Sequence, residues 1–302
     1  MWWLLIAVSS YIILAVTSLI DKVLLSGKLS DPRLYAFYIG ILSAAAFLLL
    51  PFGMMTAAAP YLFLLGVAAG MSQIYGSYFY LAALGRFEAS RVVPLIGSLV
   101  PISGFFLTAL VSGGRAVLGA QELAGFILLI AGGWLITANG VRINKKSLGF
   151  VFLAAALFSS SVVLAKLVYL QLPFLNGFIL MAFGSTAAAL TFLFSRQVRR
   201  VVFDRHSTDR KNKPNILFFS GQALGGAAFL MQNIAVAMAP QASVPAINAM
   251  AGVQYVVLFF FTTLLSLRLP GLVKEKVTPG ALIQKIVAIV LIMFGLAIFA
   301  LA

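Results

Sequence analysis

The sequence predicts an all-α integral membrane protein: ten transmembrane helices forming a 5+5 inverted-repeat bundle around a central cavity. Three observations lead there. Of the 302 residues, 62% are hydrophobic and 9% charged, with a mean hydropathy of +1.08, so no water-soluble globule could cover its own apolar surface. Runs with few or no charges, each about 20 residues and so long enough to cross about 30 Å of hydrocarbon, recur along the whole chain. The chain also matches itself at a slowly drifting offset, as transporter repeats do.

The ten spans read 2–25, 33–55, 60–84, 89–111, 120–140, 147–171, 174–195, 214–239, 242–266 and 280–301. Span 1 stays apolar until Asp21 and Lys22, near its end. Span 2 carries the small-residue run SAAAFLL. Span 3 puts Gly66, Gly70, Gln73 and Ser77 on one helical face and adds Tyr75, Tyr78 and Tyr80. Span 4 holds Pro94, Ser98 and Pro101, and span 5 closes with GWLI. Span 6 brings a second lysine, Lys166, and span 7 the run TAAALTF. In span 8, Gly221, Gly225, Ala228 and Gln232 share a face, with Asn233 beside it. Span 9 carries Pro245, Asn248 and Gln254, and span 10 contains GLAI. Glycine and proline inside such runs are tolerated in membrane helices, and the ten-residue alternation of a barrel is missing, so helices are expected.

The 21 Lys and Arg against 7 Asp and Glu give a formal charge of +14. A nucleic-acid binder would gather such an excess on one water-facing surface with stacking aromatics; here the cations sort by loop. Connections after spans 1, 3, 5, 7 and 9 carry seventeen of the 21, while the opposite face has only Arg115. This positive-inside pattern predicts those connections in the cytoplasm and both termini outside it, in the cell (inner) membrane. The uncharged start MWWLLIAVSS fits that orientation and lacks the basic n-region of a cleaved signal peptide. The basic stretch RQVRRVVFDRHSTDRKNKP reads as a cytoplasmic connector able to touch anionic lipid, and it contains the chain's one histidine, His206. With no cysteine, thiolate chemistry and cysteine metal sites are excluded.

The internal matches keep register. Thr17 aligns with Ser161 and Lys22 with Lys166 at an offset of 144, SAAAFLL with TAAALTF at 143, and GVAAG with GQALG at 155. ASRVV meets ASVPA at 153, and GWLI answers GLAI. An odd number of spans per half makes the second half enter from the opposite side, so halves 1–144 and 145–302 are expected to be inverted.

The five-helix unit, the lysine near the end of its first helix, LAALGRFEASRVVPLIGSLVPISGFF and LAGFILLIAGGWLI resemble the EamA type of the drug/metabolite transporter superfamily. The resemblance covers essentially the whole chain, twice. It implies a secondary transporter working by alternating access, in a family whose members carry amino acids, sugars, nucleotide sugars and drugs. Members usually begin with a basic N-terminus and keep both termini in the cytoplasm; this chain reads the other way.

The candidate solute-binding residues are Lys22, Gln73, Ser77, Tyr78, Ser98, Lys166, Gln232, Asn233 and Asn248. A lysine near a span end can snorkel to the headgroups. Lys166, however, lies at the non-cytoplasmic end, against the charge bias, and the matching family lysine implies that it faces the cavity. Asp21 is expected to project away from Lys22, to another neighbour or to water. The glycines read as close helix packing, and the buried amides as either interhelical glue or cavity lining. The tyrosines of span 3 would form a wall for an aromatic ligand or pack among helices. Prolines in spans 4 and 9 would kink them.

No acid is read deep in a span, which favours exchange or facilitated diffusion over a proton relay. Enzyme chemistry is not expected: no acid cluster, nucleophile–base pair or Walker loop is present. The expectation is a carrier without cofactor or metal, whose partners are a small-molecule solute and the lipid bilayer, and not nucleic acid, with a homodimer left open. The rival readings are a flippase for a lipid-linked sugar and, further off, an integral membrane enzyme.

Overall fold

The computed structural model describes residues 2–26, 31–52, 59–86, 89–111, 113, 119–137, 145–203, 216–244, 247, 250–268 and 279–301, and every regular element among them is helical. In chain order these are α1 (Trp2–Ser26), α2 (Pro32–Leu42), α3 (Pro60–Arg86), α4 (Ala89–Val111), α5 (Ala120–Thr137), α6 (Lys145–Tyr169) and α7 (Phe174–Thr191). They are followed by α8 (Arg196–Phe203), α9 (Ile216–Met238), α10 (Ala251–Arg268) and α11 (Pro279–Leu301). Five helical segments, Trp2–Leu25, Pro32–Phe52, Pro60–Arg86, Leu148–Tyr169 and Phe174–Phe194, are long and apolar enough to cross a membrane. The outer surface agrees: Leu110 is 81% exposed, Ile216 84% and Phe194 88%, a distribution that suits hydrocarbon and not water.

Local sequence explains the element ends. Asp31 caps α2, its Oδ1 accepting from the Arg33 backbone N–H at 2.9 Å, with Pro32 at the first helical position where no N–H is needed. After Leu42 the chain tightens into a 3-10 helix over Ser43–Phe52, so the expected span 33–55 is helical but not uniformly α. A run of this length is unusual, because 3-10 hydrogen bonds are poorer than α ones. Span 9, expected over 242–266, is a 3-10 turn at Gln241–Ser243 followed by α10 from Ala251; Pro245 lies outside the described residues. The basic connector also differs from expectation. Its first eight residues form α8, with Val198 buried, Val201 and Val202 against the core, and Arg196, Arg199 and Arg200 exposed. His206 lies outside the described residues.

Between lipid-exposed helices the hydrophobic drive is weak, so close van der Waals approach and interhelical hydrogen bonds hold the bundle. At the α3–α7 crossing, a Cβ added to Gly70 would sit 1.9 Å from the Met181 carbonyl oxygen, and one on Gly184 2.0 Å from that of Val67. Ser185 Oγ donates to the Gly70 carbonyl at 3.2 Å, and Tyr75 Oη bonds Thr191 Oγ1 at 2.9 Å. Gly132 and Gly295 do the same work between α5 and α11. Elsewhere α3 packs on α6, α1 on α9 and α10, and α4 on α5 and α6. Helix α2 meets α9 near its start, where Tyr35 packs edge-on to Phe218 at 5.2 Å.

Candidate functional site

The helices enclose a cavity of about 650 Å³. Its wall comes from α1, α2 with its 3-10 extension, α3, α4, α6, α7, α9 and α10, while α5 and α11 pack outside it. That volume suits a small organic molecule. Most of the wall is apolar, with a scatter of hydroxyls, amides and phenols, and its one formally charged residue among those described is Asp21.

On α1, Tyr11, Leu14, Ser18 and Asp21 follow helical spacing and face inward together. Asp21 is 7% exposed, and its Oδ1 accepts the Tyr35 hydroxyl. Gln222 of α9 donates to that same phenol oxygen at 3.3 Å, and Gln254 of α10 donates to Ser18 Oγ at 2.8 Å. Deeper in, Gln232 donates to Tyr11 Oη at 2.9 Å. The Tyr80 hydroxyl, buried on α3, lies beside Ser18 and Asp21 without a well-formed hydrogen bond among the described residues.

Of the residues singled out in the sequence, Gln73, Ser77 and Gln232 come together on the cavity wall. Ser77 Oγ donates to the backbone carbonyl of Gln73 at 2.9 Å, and the Gln73 side chain lines the cavity. Tyr78 does not reach the wall; its ring packs on Phe79 and Phe192 at 5.0 and 5.5 Å. Asn233 is buried behind the wall, accepting from Tyr169 Oη at 2.8 Å and donating to the Phe229 carbonyl at 2.9 Å. The Ser98 side chain and the whole of Asn248 lie outside the described residues.

The two lysines turn out to do one job twice. Lys22 on α1 donates to the Leu84 carbonyl, in the last turn of α3, at 2.8 Å. Lys166 on α6 is 3% exposed and donates to the carbonyls of Val236 (3.0 Å), Ala237 (3.1 Å) and Ala239 at the end of α9. A helix C-terminus leaves carbonyls unpaired and carries partial negative charge, so an ammonium there satisfies both. Lys166 is thus placed at a helix end and not on the cavity wall, contrary to the expectation drawn from its charge bias; Lys22 likewise bonds a helix end instead of reaching for headgroups.

A second departure concerns the acids. The sequence reads none deep in a span and sends Asp21 to another neighbour or to water; the structure supplies the neighbour, with Tyr35, Tyr80 and Gln222 about the carboxylate. Tyr11, Tyr35, Tyr255 and Gln222 have no place in the sequence reading, and Gln254 appears there only as a polar residue of span 9. The signal was present for α1, where positions 11, 14, 18 and 21 fall on one face, but the choice between lipid and cavity depends on neighbours that only folding brings near.

No protein-family profile and no curated protein matches the chain. Among solved structures, one described only as "Crystal structure of protein" superposes with a TM-score of 0.66 over 99% of this chain and 96% of that one, at 19% identity. At that identity the likeness speaks for the fold alone: an all-α assembly built from membrane-length apolar helices.

Proposed function

We propose that the chain is a secondary transporter of the EamA, drug/metabolite type, which moves a small metabolite or drug-like solute across the membrane by alternating access. The cavity carries this reading: about 650 Å³ walled by helices from both halves of the sequence, inside a bundle of apolar helices. Two further observations support an inverted 5+5 arrangement of 1–144 and 145–302. Exchanging α1 with α6, α3 with α9 and α4 with α10 turns the α3–α6 packing into α9–α1, and α4–α6 into α10–α1. The same exchange turns the Lys22 cap of α3 into the Lys166 cap of α9. With the charge bias of the loops, the reading puts the protein in the cell membrane with both termini outside the cytoplasm.

One observation favours the flippase alternative. Leu48, 78% exposed, and the exposed Ala45 and Ala227 also line the cavity, so it reaches the outer surface between the 3-10 segment and α9. A side opening of this kind admits a solute from lipid as well as from water.

A thermal-shift screen of the detergent-solubilised protein against amino acids, nucleosides, sugars and polyamines tests the carrier reading, because a ligand that binds the folded state raises its melting temperature. At least one class should raise it, and Gln73→Ala should abolish the rise. Hits that all survive Gln73→Ala and Gln232→Ala would argue against a solute site in this cavity.

A further inference from the structure

Asp21 is the anomaly of the cavity. The chain carries +14 overall, yet the single formal charge on the described cavity wall is a carboxylate. A buried carboxylate is costly unless a cation or several donors compensate it. Its described partner is one neutral phenol, Tyr35, on Oδ1, while Oδ2 carries no hydrogen bond among the described residues. The neighbouring lysine does not supply the missing charge from the opposite side of the helix turn: Lys22 is engaged with the end of α3.

The surroundings suit a cationic guest. A primary ammonium offers three donors and no acceptor. Asp21 Oδ2 and Tyr80 Oη are acceptors on adjoining faces of α1 and α3, with Ser18 Oγ, which already accepts from Gln254, beside them. The remainder of the wall, including Phe158, Phe178 and Phe229, offers apolar surface and aromatic faces to the body of the same molecule. Nothing on the described wall would offset the charge of an anionic guest.

We propose that this cavity selects solutes bearing a protonated amine on an apolar body, with Asp21 as the charge-recognition residue and the Tyr80 hydroxyl as an added acceptor. The proposal rests on the reading of the cavity as a solute site and narrows it to organic cations. It gives the buried carboxylate a purpose: the guest brings the counter-charge that the protein omits.

Three probes of matched size separate the charge from the body: 4-phenylbutylamine, 4-phenylbutan-1-ol and 4-phenylbutanoate. Each is titrated calorimetrically at neutral pH into the full chain in lipid nanodiscs, with empty nanodiscs subtracted. The amine should bind at least tenfold more tightly than the alcohol, and the carboxylate most weakly. Asp21→Asn should bring the amine down to the affinity of the alcohol while leaving the alcohol unchanged, and Tyr80→Phe should weaken the amine alone, severalfold. Asp21→Asn keeps an oxygen for the Tyr35 hydroxyl, so its unliganded melting temperature should match or exceed that of the parent, which reports that the variant is folded. An alcohol or carboxylate that binds as well as the amine, or an amine preference that survives Asp21→Asn, overturns the proposal while leaving a solute cavity in place. Binding of none of the three also overturns it, and the screen against sugars, nucleosides and amino acids then decides the carrier reading separately.

Discussion

Three carbonyls at the end of α9 converge on one ammonium, and replacing it leaves them buried without donors. Lys166→Met keeps the length and apolar stem of the side chain but removes every hydrogen bond it makes. Unpaired buried polar groups cost about 1–3 kcal/mol each, with more at stake where a charge was involved. Lys166→Met should therefore lower the melting temperature of the solubilised protein, and Lys22→Met, which removes the bond to the Leu84 carbonyl of α3, should lower it too. Negligible losses in both variants would show that the caps do not stabilise the bundle. The recurrence of the lysines was legible in the sequence, because identical residues 144 positions apart in matching frames are visible without a structure. Their task was not. Which helix end lies opposite a side chain depends on packing between segments about 60 to 70 residues apart along the chain, and periodicity carries no such information. Asp21 illustrates the same limit: its spacing with Tyr11 and Ser18 is written in the sequence, but the tyrosines that enclose it come from α2 and α3.

Among the elements, α3 and α7 make the closest crossing. With backbone nearly touching backbone at Gly70 and Gly184, a side chain on either glycine must push the helices apart. Gly70→Val should cost on the order of 1–3 kcal/mol of overpacking and lower the melting temperature. Gly85→Val, where an added Cβ meets nothing within 4 Å, provides the control. A Gly70→Val protein as stable as its Gly85→Val counterpart would mean that the crossing is looser than described. The glycine faces of α3 and α9 were readable as packing surfaces because small residues four apart mark such contacts in lipid. Gly66 meets Leu180, and Gly221 meets Ile20. The change from α to 3-10 after Leu42 was not readable, since an apolar run shows the same composition in either helix. Helix α8 was hidden in the charge of its loop: eight residues with four exposed polar or charged side chains resemble a solvated tether until Val198, Val201 and Val202 find the core.

For the molecule as a whole, the account depends on a cavity that opens to one side of the membrane and then to the other. The composition and spacing of the apolar runs made an all-α membrane architecture legible, and the amides singled out in spans 3 and 8, Gln73 and Gln232, located part of the cavity wall. Its acidic point and its side opening were out of reach, because both arise where helices diverge. The absence of cysteine from the chain makes the decisive measurement clean. Single cysteines at Ser77 of α3 and Gln254 of α10, both on the cavity wall, are exposed to a membrane-impermeant thiol reagent in right-side-out and inside-out vesicles, with and without a bound solute. Alternating access predicts labelling of both positions from both sides, reduced when the solute is present. Labelling from one side alone, or from neither, in protein that still folds would contradict it.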